Sequence, residues 1–224
     1  MRNVAVFISA LLLLLSCRQK PALEPFQTGD LVFVGLPAET LSGEDDGIDG
    51  AIASATGDGS RLNLIHVAIL EVDEADSLWI VDVTLKHGVK RDSLRSFLRD
   101  FSRHDGSLPE MLVMRLKDTT GVAGFVEKAK TFIGQPYDYA FQPDNGAQYC
   151  SELVYDSYVK ADGTHLFHAA PMNFKNADGE FAPYWARLFE RLQIPVPQGV
   201  LGTNPQAMYG SEALRPVRNS LLPR

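Results

Sequence analysis

The sequence predicts an α+β domain in which an antiparallel sheet packs against helices, and three features carry that prediction. Short apolar segments bounded by turn residues fill the first half of the chain. Two segments with helical spacing and clear ends come later, after one more strand. The second of those helices begins at Cys150, one of only two cysteines in the sequence. This order of strands, helix, strand and paired helices reads as α+β. A length of 224 residues suits one domain with a sizeable core, and 45% hydrophobic with 22% charged residues is the balance of a folding chain.

The first residues are set apart from that domain. Arg2 and a polar start precede an apolar run from Val4 to Leu15, which ends in five consecutive leucines and Ser16-Cys17. The run is too short for a comfortable membrane span and has the layout of a secretory signal. Leu14-Leu15-Ser16-Cys17 resembles the lipobox of bacterial lipoproteins. That resemblance implies removal of residues 1–16, lipidation of Cys17 and a tether over residues 17–26, leaving one domain over 27–224. The expected location is the cell envelope, on the periplasmic or surface side, with the lipid holding the membrane. Losing residues 1–16 removes Arg2 and no acid, so 20 of the 21 Lys and Arg remain against 28 Asp and Glu, a formal charge of −8. Such a balance argues against a nucleic-acid partner. It also leaves Cys150 without a thiol to pair with, an uncommon state for an exported protein and one that flags a reactive group.

Within the domain, Thr28-Gly29-Asp30 is a turn feeding the apolar strand Leu31 to Val34. Pro37 to Gly50 reads as a polar surface loop; its acids do not alternate as a calcium loop requires, and Thr56 stands where the last glutamate ligand would be. A brief helix is expected from Ile48 to Thr56. Strands over Leu64–Val72 and Leu78–Leu85 flank an acidic connector and form a hairpin. Gly88-Val89 reads as a turn, Ser93–Phe101 as a helix with Leu94, Phe97, Leu98 and Phe101 on one face, and Met111–Leu116 as a strand. Val122–Ile133 is a helix that stops at Gly134, and a polar stretch leads to a second helix over Cys150–Lys160. Beyond Ala161 only a helix from Tyr184 to Gln193 is predicted, with Gly199–Pro205 a candidate loop beside the cleft.

A cysteine in the first turn of a helix differs chemically from one in its interior. Unsatisfied backbone N–H groups and the positive end of the dipole favour the thiolate, and the same groups can hold an oxyanion. Glu152, an anion in the same turn, works against this. An attacking thiol also needs a base, which later protonates the departing amine, and histidine suits both tasks near neutral pH. Of His66, His87, His104, His165 and His168, only His66 interrupts an apolar strand, where a buried imidazole must find a partner. Asp82 can be that partner: with the hairpin centred on Glu74, the two residues face each other on one side of the sheet. A carboxylate inside Trp79-Ile80-Val81-Asp82-Val83 is expensive unless paired.

Several of these segments occur together in one family. Gly29-Asp30-Leu31-Val32-Phe33, Ile65-His66-Val67-Ala68-Ile69, Val81-Asp82-Val83 with Gly88-Val89, Gly134-Gln135-Pro136-Tyr137-Asp138 and Tyr149-Cys150-Ser151-Glu152-Leu153-Val154-Tyr155 stand in its order. The sequence thereby resembles the YiiX-like branch of circularly permuted papain-fold enzymes, relatives of NlpC-type cell-wall peptidases and of lecithin retinol acyltransferase-like proteins. The resemblance implies a permuted papain-like fold, Cys150 as nucleophile, His66 as base and acid, Asp82 as the group that orients His66, and no cofactor. The branch more often carries glutamate at the third position. Tyr137 and Gln148 are candidates for contact with the oxyanion or substrate, or else a packed aromatic and a loop amide. The expected reaction is hydrolysis of an amide in a peptide-like or amidated small molecule, with cell-wall peptides the natural guess. Two alternatives stay open: transfer or hydrolysis of a lipid acyl group, marked by an apolar groove at Cys150, and a non-catalytic binding module, marked by His66 lying far from Cys150. No metal site is expected, since one free thiol and the pair His165 and His168 are too little for one.

Overall fold

The computed structural model describes residues 22–38, 47–103 and 106–217. The expected signal segment, Cys17, most of the acidic loop and His104 lie outside them. In chain order the elements are β1 (Leu31–Pro37), α1 (Ile48–Thr56), β2 (Leu62–Val72), β3 (Leu78–Thr84), β4 (Gly88–Ser93), α2 (Leu94–Asp100), β5 (Glu110–Leu116), α3 (Val122–Thr131), α4 (Cys150–Ser157), β6 (Ala170–Pro171), α5 (Pro183–Leu192), β7 (Leu201–Gly202), α6 (Pro205–Tyr209) and β8 (Leu214–Val217). Six strands form one antiparallel sheet in the order β4-β3-β2-β1-β5-β8, and β6 and β7 form a two-stranded ribbon. The fold is thus the α+β arrangement that the sequence predicts. No helix among the described residues is long and apolar enough to cross a membrane.

Strand β1 shows no alternation of apolar and polar residues because both faces of the sheet are covered. Leu31 and Phe33 pack under α3, α4 and α6, whereas Val32 and Val34 pack with Leu94 and Phe97 of α2. A third apolar cluster joins α1 and α5 through Ala51, Phe141, Tyr149, Phe174, Trp185 and Phe189. The Gly88-Val89 segment, expected as a turn, instead opens β4. That strand is an edge with only its first two residues buried, so its polar sequence gives no apolar period. Helix α4 is shorter than expected, ending at Ser157. Ser93 caps α2, its hydroxyl accepting from Ser96 N–H at 3.2 Å.

The hairpin of β2 and β3 differs in register from the sequence expectation. Val72 pairs with Leu78 and Ile69 with Val81, which centres the turn on Ala75 rather than Glu74. Asp73 sets this by pairing its backbone with Ser77 while its carboxylate accepts from Ala75 N–H and Ser77 N–H. Continuing the register puts Asp82 across from Ala68, two residues from His66. A shift of two preserves the shared face, so the pairing of His66 with Asp82 survives as a diagonal contact. Beside it, β2 holds a bulge: Val34 pairs with His66 but Gly35 with Leu64, leaving Ile65 as the extra residue.

A buried ion pair anchors the sheet to the helix that carries Cys150. Arg115 on β5 donates from Nε and Nη2 to the two carboxylate oxygens of Asp30 at 2.6 and 2.8 Å, and both side chains are buried. The neighbouring Gly29 accepts through its carbonyl from the hydroxyl of Tyr158, the residue that ends α4, at 3.0 Å. At this position φ is +87°, and a side chain would collide with Val122, so the turn requires glycine. Asp30→Ala takes the bidentate carboxylate from the buried Arg115 guanidinium and leaves it only the Pro25 carbonyl at 2.8 Å and Glu24 at 3.7 Å. The expected cost is about 3–5 kcal/mol, measured as a lowered denaturation midpoint at unchanged m-value.

Candidate active site

Cys150 is the first residue of α4 and is 6% exposed. Tyr149 precedes it in extended conformation, and its N–H donates to Oε2 of Glu152 at 3.2 Å, so one orphan donor of the helix start is satisfied from within the turn. The N–H groups of Cys150 and Ser151 have no partner inside the helix by its geometry and remain for a ligand. Glu152 does not oppose the thiolate as its sequence position suggested. Burial, reinforced by Asp138, Asp156 and Asp144, pushes its carboxyl up to about 8, against the hydrogen bond from Tyr149 that favours ionisation. Around neutral pH it is therefore mostly uncharged.

The segment between α3 and α4, which reads as a polar stretch, folds back against the start of α4. Asp138 N–H donates to the Gln148 carbonyl at 2.9 Å, and Gln148 N–H to the Pro136 carbonyl at 3.0 Å. Gly134-Gln135 in turn exchange backbone hydrogen bonds with Val89. The approach is so close that a Cβ on Gly88 would lie 2.0 Å from the Gln135 oxygen. Two motifs far apart in the sequence are thus one contact, and it places Tyr137 at the sulfur.

His66 sits near the splayed end of the hairpin. The ladder between β2 and β3 ends at Ile69 and Val81, and α4 packs on both strands. Where those strands part, a ring on the α2 side of the sheet meets a sulfur from the α4 side. Nε2 of His66 donates to Oδ1 of Asp82 at 2.6 Å, and that oxygen also accepts from Val83 N–H at 2.7 Å. Cys150 borders the same cavity as His66 and its charge favours the charged ring; with Nε2 held by Asp82, Nδ1 is the nitrogen left for the sulfur. Phe97 and Phe101 pack against the ring, 13% of which stays exposed while Asp82 is 2% exposed. Burial disfavours the charged ring. The charges of Asp82 and Cys150, with the hydrogen bond to Asp82, outweigh it and raise the His66 pKa well above the ordinary imidazole value of 6.5.

Two cavities meet at Cys150. One, about 420 Å³, contains His66 together with Asp49, Lys86, His87 and Asp100. The other, about 240 Å³, contains Ser151, Thr203 and an aromatic wall that includes Phe141, Phe174 and Trp185. Tyr137 and Ile52 border both. Burial first and the Cys150 charge second push the Tyr137 phenol well above its ordinary value, which keeps it a donor. Gln148 lines neither cavity. Its Nε2 donates to Asp156 at 3.0 Å and its Oε1 is buried without a partner. The loop at Gly199–Pro205 does reach the cleft, through Thr203, Asn204 and Pro205. Ser151, Phe141 and Trp185 were missed, and Thr203 was covered only as part of that loop. Of the three, only Ser151, next to the cysteine, offered a sequence signal.

A thiol at a helix start, an imidazole on the same cavity and a buried carboxylate behind the ring define a papain-like constellation, with the histidine strand ahead of the cysteine helix. Residues 26–218 match the family described as permuted papain-like amidase enzyme, YaeF/YiiX, C92 family, and the chain belongs to that family. Among its relatives is "Uncharacterized protein YiiX" of Escherichia coli strain K12, 31% identical over 91 residues, which cover 41% of this chain and 44% of that protein. The match therefore spans less than half of this curated relative. In fold, the chain is similar to the crystal structure of metalloprotein yiiX from Escherichia coli O157:H7, with a TM-score of 0.65 at 22% identity over 88% of this chain and 99% of the other.

The midpoint of the His66 titration, followed by NMR of the ring, is expected well above 6.5. Asp82→Asn removes a charge that favours the imidazolium and keeps the burial that disfavours it, so the midpoint should fall. A wild-type midpoint at or below 6.5 contradicts this arrangement.

Proposed function

We propose that the protein is a cysteine amidase in which Cys150 is the nucleophile, His66 its base and acid, and Asp82 the group that orients His66. The observation that supports this best is the imidazole held by a buried carboxylate at 2.6 Å in the cavity that Cys150 also lines. In the reaction, the Cys150 sulfur forms a bond to the amide carbon while the carbonyl oxygen takes up negative charge. The N–H groups of the first turn of α4 and the protonated Tyr137 hydroxyl are placed to receive it. Collapse breaks the C–N bond, with His66 giving its proton to the departing amine, and leaves a thioester. Water then attacks the thioester, losing its proton to His66, and the acid is released with the thiol restored.

That His66 and Cys150 line one cavity counts against a binding module that has lost its chemistry. The Escherichia coli O157:H7 relative is described as a metalloprotein. Among the described residues here, no group of three or more His, Cys, Asp or Glu could hold a metal ion, and Nε2 of His66 is committed to Asp82. The donor set does not fit a metal centre, and the proposed steps use none. We further propose that the mature chain begins at a lipidated Cys17 and works in the cell envelope, a reading supported by the apolar run and the Leu-Leu-Ser-Cys ending alone.

Hydroxylamine added during turnover of a panel of peptide and N-acyl amides should divert the thioester to a hydroxamate. Cys150→Ala should abolish both hydroxamate and acid. His66→Ala should slow turnover by about 10²–10⁴-fold. Hydrolysis that survives loss of Cys150 would refute the assignment. For the anchor, intact-mass analysis of membrane-extracted protein should show residues 1–16 missing and acyl mass added, whereas a free Cys17 behind an uncleaved leader would contradict it.

A further inference from the structure

The two cavities are not equivalent with respect to the proposed chemistry, and that gives the substrate a direction. The departing amine must lie within reach of its proton donor, His66. It therefore occupies the larger cavity, which His66 lines, and the acyl half occupies the smaller one, which Cys150 lines without His66. The acyl side has a distinct chemical character. Among the described residues, no Asp, Glu, Lys, Arg or His borders it, whereas the amine side carries four such side chains besides His66.

Two polar atoms on the acyl side lack partners. Ser151, 1% exposed, has a hydroxyl with no hydrogen bond, and so does Thr203, 8% exposed. The Tyr149 hydroxyl accepts from Thr203 N–H at 3.0 Å and the Thr203 side chain adds to what holds the phenol down, yet Thr203 Oγ1 has no partner in hydrogen-bond geometry. Buried hydroxyls are normally satisfied, and two unsatisfied ones in the wall of one cavity beside a nucleophile point to a ligand that satisfies them. The loop holding Thr203 is fixed from below, because a Cβ at Gly202 would meet both Met172 and the Tyr149 hydroxyl at under 3 Å.

We propose that the acyl half of the substrate is an uncharged, largely apolar group carrying a neutral hydrogen-bonding function, an amide or a hydroxyl, that is read by Ser151 and Thr203. This rests on the amidase reading and deepens it. An acyl group ending in a carboxylate would be buried against aromatic rings with no cation to pair it, at a cost that an amide avoids.

Activated esters test the acyl side alone. With a p-nitrophenyl ester, Cys150 forms the C–S bond and p-nitrophenolate leaves with the electron pair of the broken C–O bond, so recognition of an amine plays no part. Acylation of Cys150 in the full chain is followed by p-nitrophenolate release and mapped by peptide mass spectrometry. Rates for the hexanoate, the adipate monoester and the γ-acetamidobutyrate are normalised to those with N-acetylcysteine. The neutral esters should acylate Cys150 at least about tenfold faster than the adipate monoester. Ser151→Ala and Thr203→Val should each lower the ratio of γ-acetamidobutyrate to hexanoate rates by about 2- to 10-fold, and Thr203→Ser should restore it. Equal rates for adipate and hexanoate overturn the proposal, as does a ratio unmoved by both variants. So does a thiol that reacts with iodoacetamide but with none of the esters. A thiol inert to iodoacetamide would instead remove the amidase reading beneath it.

Discussion

The arrangement depends on keeping one imidazole charged inside the protein. A buried histidine alone would shed its proton, because burial disfavours the ion. Here a carboxylate at 2.6 Å and the group on Cys150 reverse that preference. Asp82 can do this because it is itself buried, in a strand whose other inward residues are apolar, and because it accepts a second hydrogen bond from Val83 N–H. The two strands separate where the ring must pass from one face of the sheet toward the other. The Ile65 bulge, the end of the β2–β3 ladder and the packing of α4 on both strands all fall at that place.

The remainder of the fold holds the helix that brings the sulfur to the ring. Tyr158 at the end of α4 is bonded to Gly29, beside the Asp30–Arg115 pair, and the start of α4 is held by the fold-back of residues 134–148. The same fold-back delivers Tyr137. The C-terminal third builds one wall of the cleft. Trp185 on α5 donates from Nε1 to the Ala51 carbonyl at 3.3 Å, and the β6–β7 ribbon docks on Tyr149, next to Cys150. Phe174 and Trp185 of this segment join Phe141 in the aromatic wall of the smaller cavity, while α1, β2, the β3–β4 turn and α2 supply the charged lining of the larger one.

What could be read in the sequence follows from periodicity. Strands β2, β3 and β5 and helices α1, α2, α3 and α4 announce themselves through apolar spacing. A histidine and an aspartate each interrupting an apolar strand mark themselves as a pair, even though the turn at Asp73 shifts the register by two. Edge strand β4 was not legible because an edge buries little. The contact of Gly88 with Gln135 is backbone against backbone across 47 positions of sequence and leaves no pattern to read. Likewise Phe141, Phe174 and Trp185 form one wall, yet are too scattered for any period to join them. Gln148 stands two residues before Cys150 along the chain yet lines neither cavity, and its Nε2 is bonded to Asp156.

If Asp82 acts on the sulfur only by holding and charging His66, the two residues are one functional unit, and their substitutions cannot be additive. The direct measurement is a double-mutant cycle on the rate of alkylation of Cys150 by iodoacetamide at neutral pH, using wild type, His66→Ala, Asp82→Asn and the double variant, with the site of modification mapped by mass spectrometry. The account predicts that both single variants slow the reaction and that Asp82→Asn has no further effect once His66 is gone. Independent, multiplicative effects, or a His66→Ala variant that reacts as fast as wild type, would contradict it.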